Sequence, residues 1–137
     1  MGLILDSSVL IAGERRRESV RDILERVRER LTETESGLSV VTVAELTHGI
    51  YRAKTEADRQ RRQDFVDELL RSLIVHPVTL EIAQLAGRIE AQQAAQGISI
   101  AFPDLLIGVT ALHLDYSVAT LNVRHFQSIP GLSVVQL

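Results

Sequence analysis

The chain has no cysteine and no tryptophan. Without cysteine there are no disulfides, no thiol nucleophiles and no thiolate metal sites, and nothing favours an oxidising compartment; a cytoplasmic home is the expectation. Two Tyr and three Phe leave little material for a platform on which bases stack. No apolar run reaches the roughly 18 residues that a membrane span needs, so no membrane association is expected. The opening Met1-Gly2-Leu3-Ile4-Leu5-Asp6 lacks the basic segment and long apolar stretch of a secretory leader. Neither sign of charge dominates: 15 basic and 18 acidic residues give a formal net charge of −3. There is thus no overall basic bias towards nucleic acid, although local fields weigh more than the sum. A glycine-rich phosphate loop is also missing, since the first strand runs into Asp6-Ser7-Ser8; this argues against a nucleotide-binding Rossmann enzyme.

What is present is ordinary for a globular domain: 137 residues, 45% hydrophobic and 24% charged, enough for one domain over 1–137 with a buried core. Periodicity alternates along the chain. Leu3-Ile4-Leu5 reads as a strand, and Asp6-Ser7-Ser8 can cap a turn of helix over Val9 to Ala12. Val20, Ile23, Leu24, Val27 and Leu31 recur at helical spacing within a helix from about Arg15 to Thr32. Its charged faces offer Glu18 with Arg21, Asp22 with Arg26, and Glu25 with Arg28. After Ser36-Gly37, Leu38 to Val41 reads as a second strand, and helices follow from Thr42 to about Ala53 and around Phe65 to Leu73. An edge strand over Leu73 to Val78 contains Pro77. A helix carrying Ile82, Leu85 and Ile89 comes next, and Ile98 to Ala101 lead to Pro103 and the apolar run Leu105 to Leu112. Strands at Ser117 to Leu121 and Leu132 to Val135 close the chain around a loop from Asn122 to Gly131. The alternation predicts a three-layer α/β/α fold with a mostly parallel central sheet.

In such sheets ligands bind outside the carboxyl ends of the strands. Three acids fall at strand-to-helix junctions: Asp6, Glu45 and Asp104. Each has a local explanation. Asp6 can be an N-cap, Thr42 with Glu45 fits a capping box, and Asp104, just after Pro103, complements a helix dipole. Together they bring three carboxylates towards one crevice, with helix openings favouring the ionised forms. A hard divalent cation relieves such a cluster, and oxygen-only ligands point to Mg²⁺ or Mn²⁺ rather than Zn²⁺. A carboxylate-held Mg²⁺ suits phosphodiester chemistry.

Asp6-Ser7-Ser8 after the first strand, Thr42-Val43-Ala44-Glu45-Leu46 after the second, and Asp104-Leu105-Leu106-Ile107 with Ala111 resemble the motifs of PIN-domain ribonucleases. The length and the ending Thr120-Leu121-Asn122-Val123-Arg124-His125-Phe126, with Ile129-Pro130-Gly131-Leu132, resemble VapC toxins of VapBC toxin–antitoxin modules. The resemblance covers essentially the whole chain. It implies a PIN-like fold and a Mg²⁺- or Mn²⁺-dependent endoribonuclease that hydrolyses RNA. Asp6, Glu45 and Asp104 would then be the catalytic, metal-binding acids, with Ser8 and Thr120 as supporting hydroxyls. It also implies a VapB-like antitoxin partner and a homodimer. Ser8 is equally a cap hydroxyl and Thr120 a strand residue. Many PIN domains carry a further acid where this chain has Asn122, which brings no charge to a metal and is equally a turn residue. One well-held metal, rather than two, is therefore expected. His125 is left outside the catalytic set as a lone loop histidine, and His48, His76 and His113 show no ligand spacing.

Two stretches carry positive charge. Residues 14 to 30 hold seven Arg against five acids, and 51 to 64 hold four Arg and one Lys against three. Most of these residues read as solvated helix faces, while Arg15, Arg16, Arg17 or Arg52 are candidates for holding phosphates without sequence preference. The function expected is a metal-dependent ribonuclease toxin neutralised by an antitoxin. The alternative is a catalytically weak or inactive PIN-like RNA-binding or scaffold module.

Overall fold

The computed structural model describes residues 2–31 and 35–137. In chain order the elements are β1 (Gly2–Leu5), α1 (Ser7–Arg15), α2 (Val20–Arg30), β2 (Glu35–Ser39), α3 (Val40–Tyr51), α4 (Glu56–Ser72), β3 (Ile74–His76), α5 (Leu80–Ala94), α6 (Phe102–His113), β4 (Ser117–Thr120), a 3₁₀ turn (Val123–His125) and β5 (Val134–Gln136). The strands form one five-stranded sheet of order β3-β2-β1-β4-β5, and every pairing is parallel.

Strand order and handedness together explain the layers. The chain steps outward from β1 to β2 to β3, then returns past β1 to β4. Right-handed crossovers therefore place the helices of the outward steps on one face and those of the return on the other. The core divides accordingly. Leu3 and Leu5 point into a cluster with residues of α1, α2, α3 and α4, while Ile4 between them points into a second cluster with α5 and α6. This is the period-two alternation of a strand buried on both faces.

Several sequence expectations shift. The helix expected from Arg15 breaks instead over Arg16 to Ser19, where Arg17 takes a positive φ of 61°. A new helix starts at Val20 under a reciprocal Ser19–Asp22 capping box, and its expected end at Thr32 lies outside the described residues. The ion pairs formed include Arg21–Glu25 and Arg26–Glu18 rather than the three spacings expected, because the break brings Glu18 back over α2. The second strand runs over Glu35–Ser39, not Leu38 to Val41, and α3 begins at Val40, capped by the Ser39 hydroxyl accepting from Val41 N–H at 3.1 Å. The Thr42–Glu45 capping box is therefore absent; Thr42 is buried inside the helix. No strand covers residues 98–101. Asp104 reaches the carboxyl edge of the sheet because α6 runs back antiparallel to β4, not because a strand delivers it. The edge strand at β3 and the apolar helix at α6 agree with expectation.

Helix α6 lies almost wholly inside, with Leu105, Ile107, Gly108, Val109, Thr110 and Ala111 buried. Pro103 stands in its first turn, where a missing N–H goes unnoticed. The segment after β4 packs on this helix through Phe126 and Ile129, both buried. Gly108 permits the approach: a Cβ there would collide with Ile129 and press on Leu132 and Phe126. Replacing Phe126 by Ala is expected to lower unfolding stability by about 3–5 kcal/mol in urea denaturation. A loss under about 1 kcal/mol would contradict a ring packed on α6.

Candidate active site

At the carboxyl edge of the sheet, β1 and β4 are neighbours but the chain leaves them in opposite directions. This is the topological switch point, where an open parallel sheet forms a crevice. An open crevice of about 590 Å³ lies there, lined by Asp6, Ser7, Ser8, Ile11, Ala12, Arg15, Glu45, Ala101, Pro103, Asp104, Leu121, Asn122 and His125. The three acids singled out in the sequence all line it.

Asp6 is the best-determined of them. The parallel register sets Leu5 against Ala119, and Asp6 N–H continues the ladder by donating to Ala119 O at 2.9 Å. That register puts the Asp6 side chain beside Thr120. Ser8 Oγ donates to Asp6 Oδ2 at 2.7 Å and Thr120 Oγ1 donates to the same oxygen at 2.9 Å. Each hydroxyl has one proton and both are spent on the carboxylate, so the 3.3 Å approach of the two hydroxyl oxygens is proximity and not a third bond. Their lone pairs are engaged from behind: Leu121 N–H donates to Ser8 Oγ at 3.1 Å and Asn122 N–H to Thr120 Oγ1 at 2.9 Å. Chained donors of this kind polarise one another. Although it occupies the N-cap position of α1, Asp6 makes no side-chain cap bond. The residue is only 3% exposed, and it lines the crevice.

Glu45 sits in the second turn of α3. Its Oε1 is buried without a hydrogen-bond partner. Beside it lies a smaller cavity of about 100 Å³ whose walls combine Leu10, Leu46, Phe65 and Val66 with Glu14, Arg15 and Arg62. Burial raises the Glu45 carboxyl above its ordinary range, the Ser7 hydroxyl partly offsets that, and the charges of Asp6 and Asp104 push it further up. Asp104, in the first turn of α6, is likewise raised by burial and by Asp6, while His125 opposes the shift. The expectation that helix openings would favour the ionised forms fails for these two groups. Glu45 lies too deep in its helix to feel the first-turn dipole, and at Asp104 desolvation and repulsion outweigh it.

The turn after β4 supplies a residue that sequence reasoning set aside. His125 Nδ1 lies 3.3 Å from Asp104 Oδ2. Three residues per 3₁₀ turn bring Asn122 and His125 to the same side, and both line the crevice. The three-residue spacing from Asn122 was the available signal; the turn type was not legible. The Asn122 side chain makes no cap bond to the turn it opens. Of the candidate arginines, Arg15 lines the crevice, and Arg16 is committed to Glu18 and to Ala12 O. Arg17 and Arg52 are exposed and do not line it. Among the described residues, no group of three or more His, Cys, Asp or Glu side chains is so placed that it could hold a metal ion by itself.

A parallel sheet with acids gathered at its switch point accords with a match of residues 3–132 to the family model described as the PIN domain, and the chain belongs to that family. It is similar to Ribonuclease VapC1 of Rickettsia felis, 31% identical over 135 residues that cover 98% of this chain and 96% of that protein. It is also similar to Ribonuclease VapC10 of Mycobacterium tuberculosis, 37% identical over 124 residues, 90% and 85% of the two chains. Among solved structures, VapBC-1 from nontypeable Haemophilus influenzae superposes with a TM-score of 0.82 at 26% identity, covering 99% of this chain and 98% of that one. The PIN-like fold and the VapC kinship read from the motifs are both met.

The raised carboxyls carry a stability consequence. Glu45 and Asp104 hold protons more tightly in the folded chain than at their ordinary values of 4.5 and 3.8. The folded state therefore binds more protons there than the unfolded state, and the contribution of these groups to stability declines as pH rises above that range. In EDTA at about pH 7, Glu45→Gln and Asp104→Asn should each melt higher than the parent and flatten this decline. Melting below the parent would show that burial and repulsion of the charged forms do not govern these two positions.

Proposed function

We propose that this chain, as one domain over 1–137, is a metal-dependent endoribonuclease toxin whose Asp6, Glu45 and Asp104 form the catalytic, metal-binding set. The observation that carries the reading is the crevice itself: three carboxylates on separate elements share it, and the charge of Asp6 adds to burial in raising the Glu45 and Asp104 carboxyls. Kinship with proteins named Ribonuclease VapC supports RNA as the substrate.

The residues fit a hard divalent cation. Their donors are oxygens, their charges repel, and Glu45 Oε1 is a buried anionic oxygen with no partner. A cation of this kind needs only one or two of these carboxylates, because Mg²⁺ binds through one or two carboxylates and keeps several waters. When bound, such an ion neutralises charge on the phosphate and acidifies a water for attack. The chain's own groups supply the rest. Ser8 and Thr120 hold Asp6 in one rotamer by occupying its Oδ2. Asp104 and Glu45 face Asp6 across the crevice. Asn122 in the fourth position offers an amide to a phosphate oxygen or a water without adding negative charge. Hydrolysis then forms a bond from the water oxygen to phosphorus and breaks the bond to the leaving sugar oxygen.

Solved relatives are toxin–antitoxin complexes, such as the DNA-bound VapBC from Salmonella typhimurium, which matches with a TM-score of 0.84 at 22% identity. We place this chain with a VapB-like antitoxin that covers the crevice, in the cytoplasm, where RNA is available. The VapC resemblance also implies a homodimer. No helix of the described residues is long and apolar enough to cross a membrane.

Cleavage of a defined RNA should require Mg²⁺ or Mn²⁺ and stop in EDTA. In Asp6→Ala and in Asp104→Asn it should fall by roughly two orders of magnitude or more, several kcal/mol of transition-state stabilisation. A folded Asp104→Asn variant that cuts at the parent rate would refute the assignment. RNA binding without cleavage under any divalent metal would make the chain a binding module instead.

A further inference from the structure

An RNA strand entering the crevice meets a problem of sign. Three of its lining residues are acids and one, Arg15, is a fixed cation. Even with a metal in place, the phosphates on either side of the scissile bond need positive charge of their own. Most of the arginines near the site are already engaged. Arg16 and Arg26 are paired with Glu18, Arg61 with Glu14 and Asp58, and Arg62 donates to Gly49 O at 2.6 Å.

Arg15 is different. It closes the stripe Ser8, Ile11, Ala12 and Arg15, which follows helical spacing and faces the crevice along the length of α1. Seven residues put it about 10 Å along the axis from Ser8. It lines both the crevice and the smaller cavity beside Glu45. Its neighbour Glu14 is held by Arg61, and among the described residues Arg15 makes no ion pair. On the other side, the crevice continues round Leu121, Asn122 and His125 into a second groove of about 490 Å³. That groove adds Val123, Arg124 and Gln136 and contains no carboxylate. Arg124 is exposed, and among the described residues it too makes no ion pair.

We propose that Arg15 and Arg124 hold the backbone phosphates flanking the scissile bond, so that the RNA crosses the carboxylates from the last turn of α1 to the turn after β4. The inference rests on the ribonuclease reading above and assigns the direction in which the substrate lies. Because both contacts are to phosphate, they position the strand and carry no sequence preference.

The test is binding of a single-stranded RNA oligonucleotide to the Asp104→Asn protein over a range of KCl concentrations. Each of Arg15→Ala and Arg124→Ala should make the plot of log affinity against log salt shallower by about 0.7, the loss of one phosphate contact. The double variant should lose both, and Arg→Lys at either position should keep the slope. The weakening should be equal on two unrelated RNA sequences. Arg88→Ala, on α5 and outside both openings, should match the background. In the protein with Asp104 intact, the same Arg→Ala changes should raise KM with kcat unchanged. Cleavage by the parent chain together with unchanged slopes and KM in both variants overturns the track alone. Failure of the parent chain to cleave RNA with any divalent metal overturns the ribonuclease reading, and the track with it.

Discussion

A carboxylate buried at the end of the central strand is the constraint to which the rest of the site answers. Asp6 is nearly inaccessible, and a charge so placed is tolerable only with donors supplied to it. The donors come from two places far apart in sequence, Ser8 in the following helix and Thr120 at the end of β4. The second depends on strand register. A slip of one residue between β1 and β4 would turn Thr120 to the other face of the sheet and leave Asp6 short of a partner. Sheet register and site geometry are therefore one requirement.

The other two acids are held against the folded chain's own electrostatic interest. Glu45 is partly buried and has an unpartnered oxygen, and Asp104 is desolvated at the head of a buried helix. Groups kept in such positions are characteristic of sites where stability is given up for chemistry. The cost is localised by the architecture. Both helices that carry these acids are anchored by buried residues elsewhere, Leu46 and Ile50 on α3 and the apolar run of α6, so repulsion between the acids does not loosen the core.

The segment after β4 joins the two requirements. Thr120 secures Asp6, Asn122 and His125 face the crevice, and Phe126 buries itself against α6. Within seven residues the chain passes from sheet to site to core, and Gly108 leaves the space for it to do so. The turn is thereby fixed at both ends, which gives Asn122 and His125 a defined position despite their exposure. An amide and an imidazole thus stand near three carboxylates, and among the described residues no fourth acid lines the crevice.

Much of this was legible from local pattern. Alternating strand and helix periodicity gave the parallel three-layer fold, Pro103 and the apolar run after it marked α6 as an internal helix, and the motif acids named the crevice. Capping chemistry was read less well. Ser39, not Thr42, starts α3, since a serine three residues earlier can close the turn as readily, and the strand before it ends sooner. The long helix broke at Arg16 to Ser19 because the better cap, Ser19 with Asp22, lies inside the periodic stretch. His125 looked like a solitary loop residue until the 3₁₀ turn set it beside Asp104. What the sequence by itself determined are properties with short range: the alternation of strands and helices, which faces are apolar, and which acids the motifs carry. The tertiary structure decided that β1 lies between β2 and β4, that Thr120 meets Asp6, and that burial and repulsion raise Glu45 and Asp104. Those outcomes depend on burial and pairing between residues far apart in the chain, as Asp6 and Thr120 are, and no local periodicity encodes them.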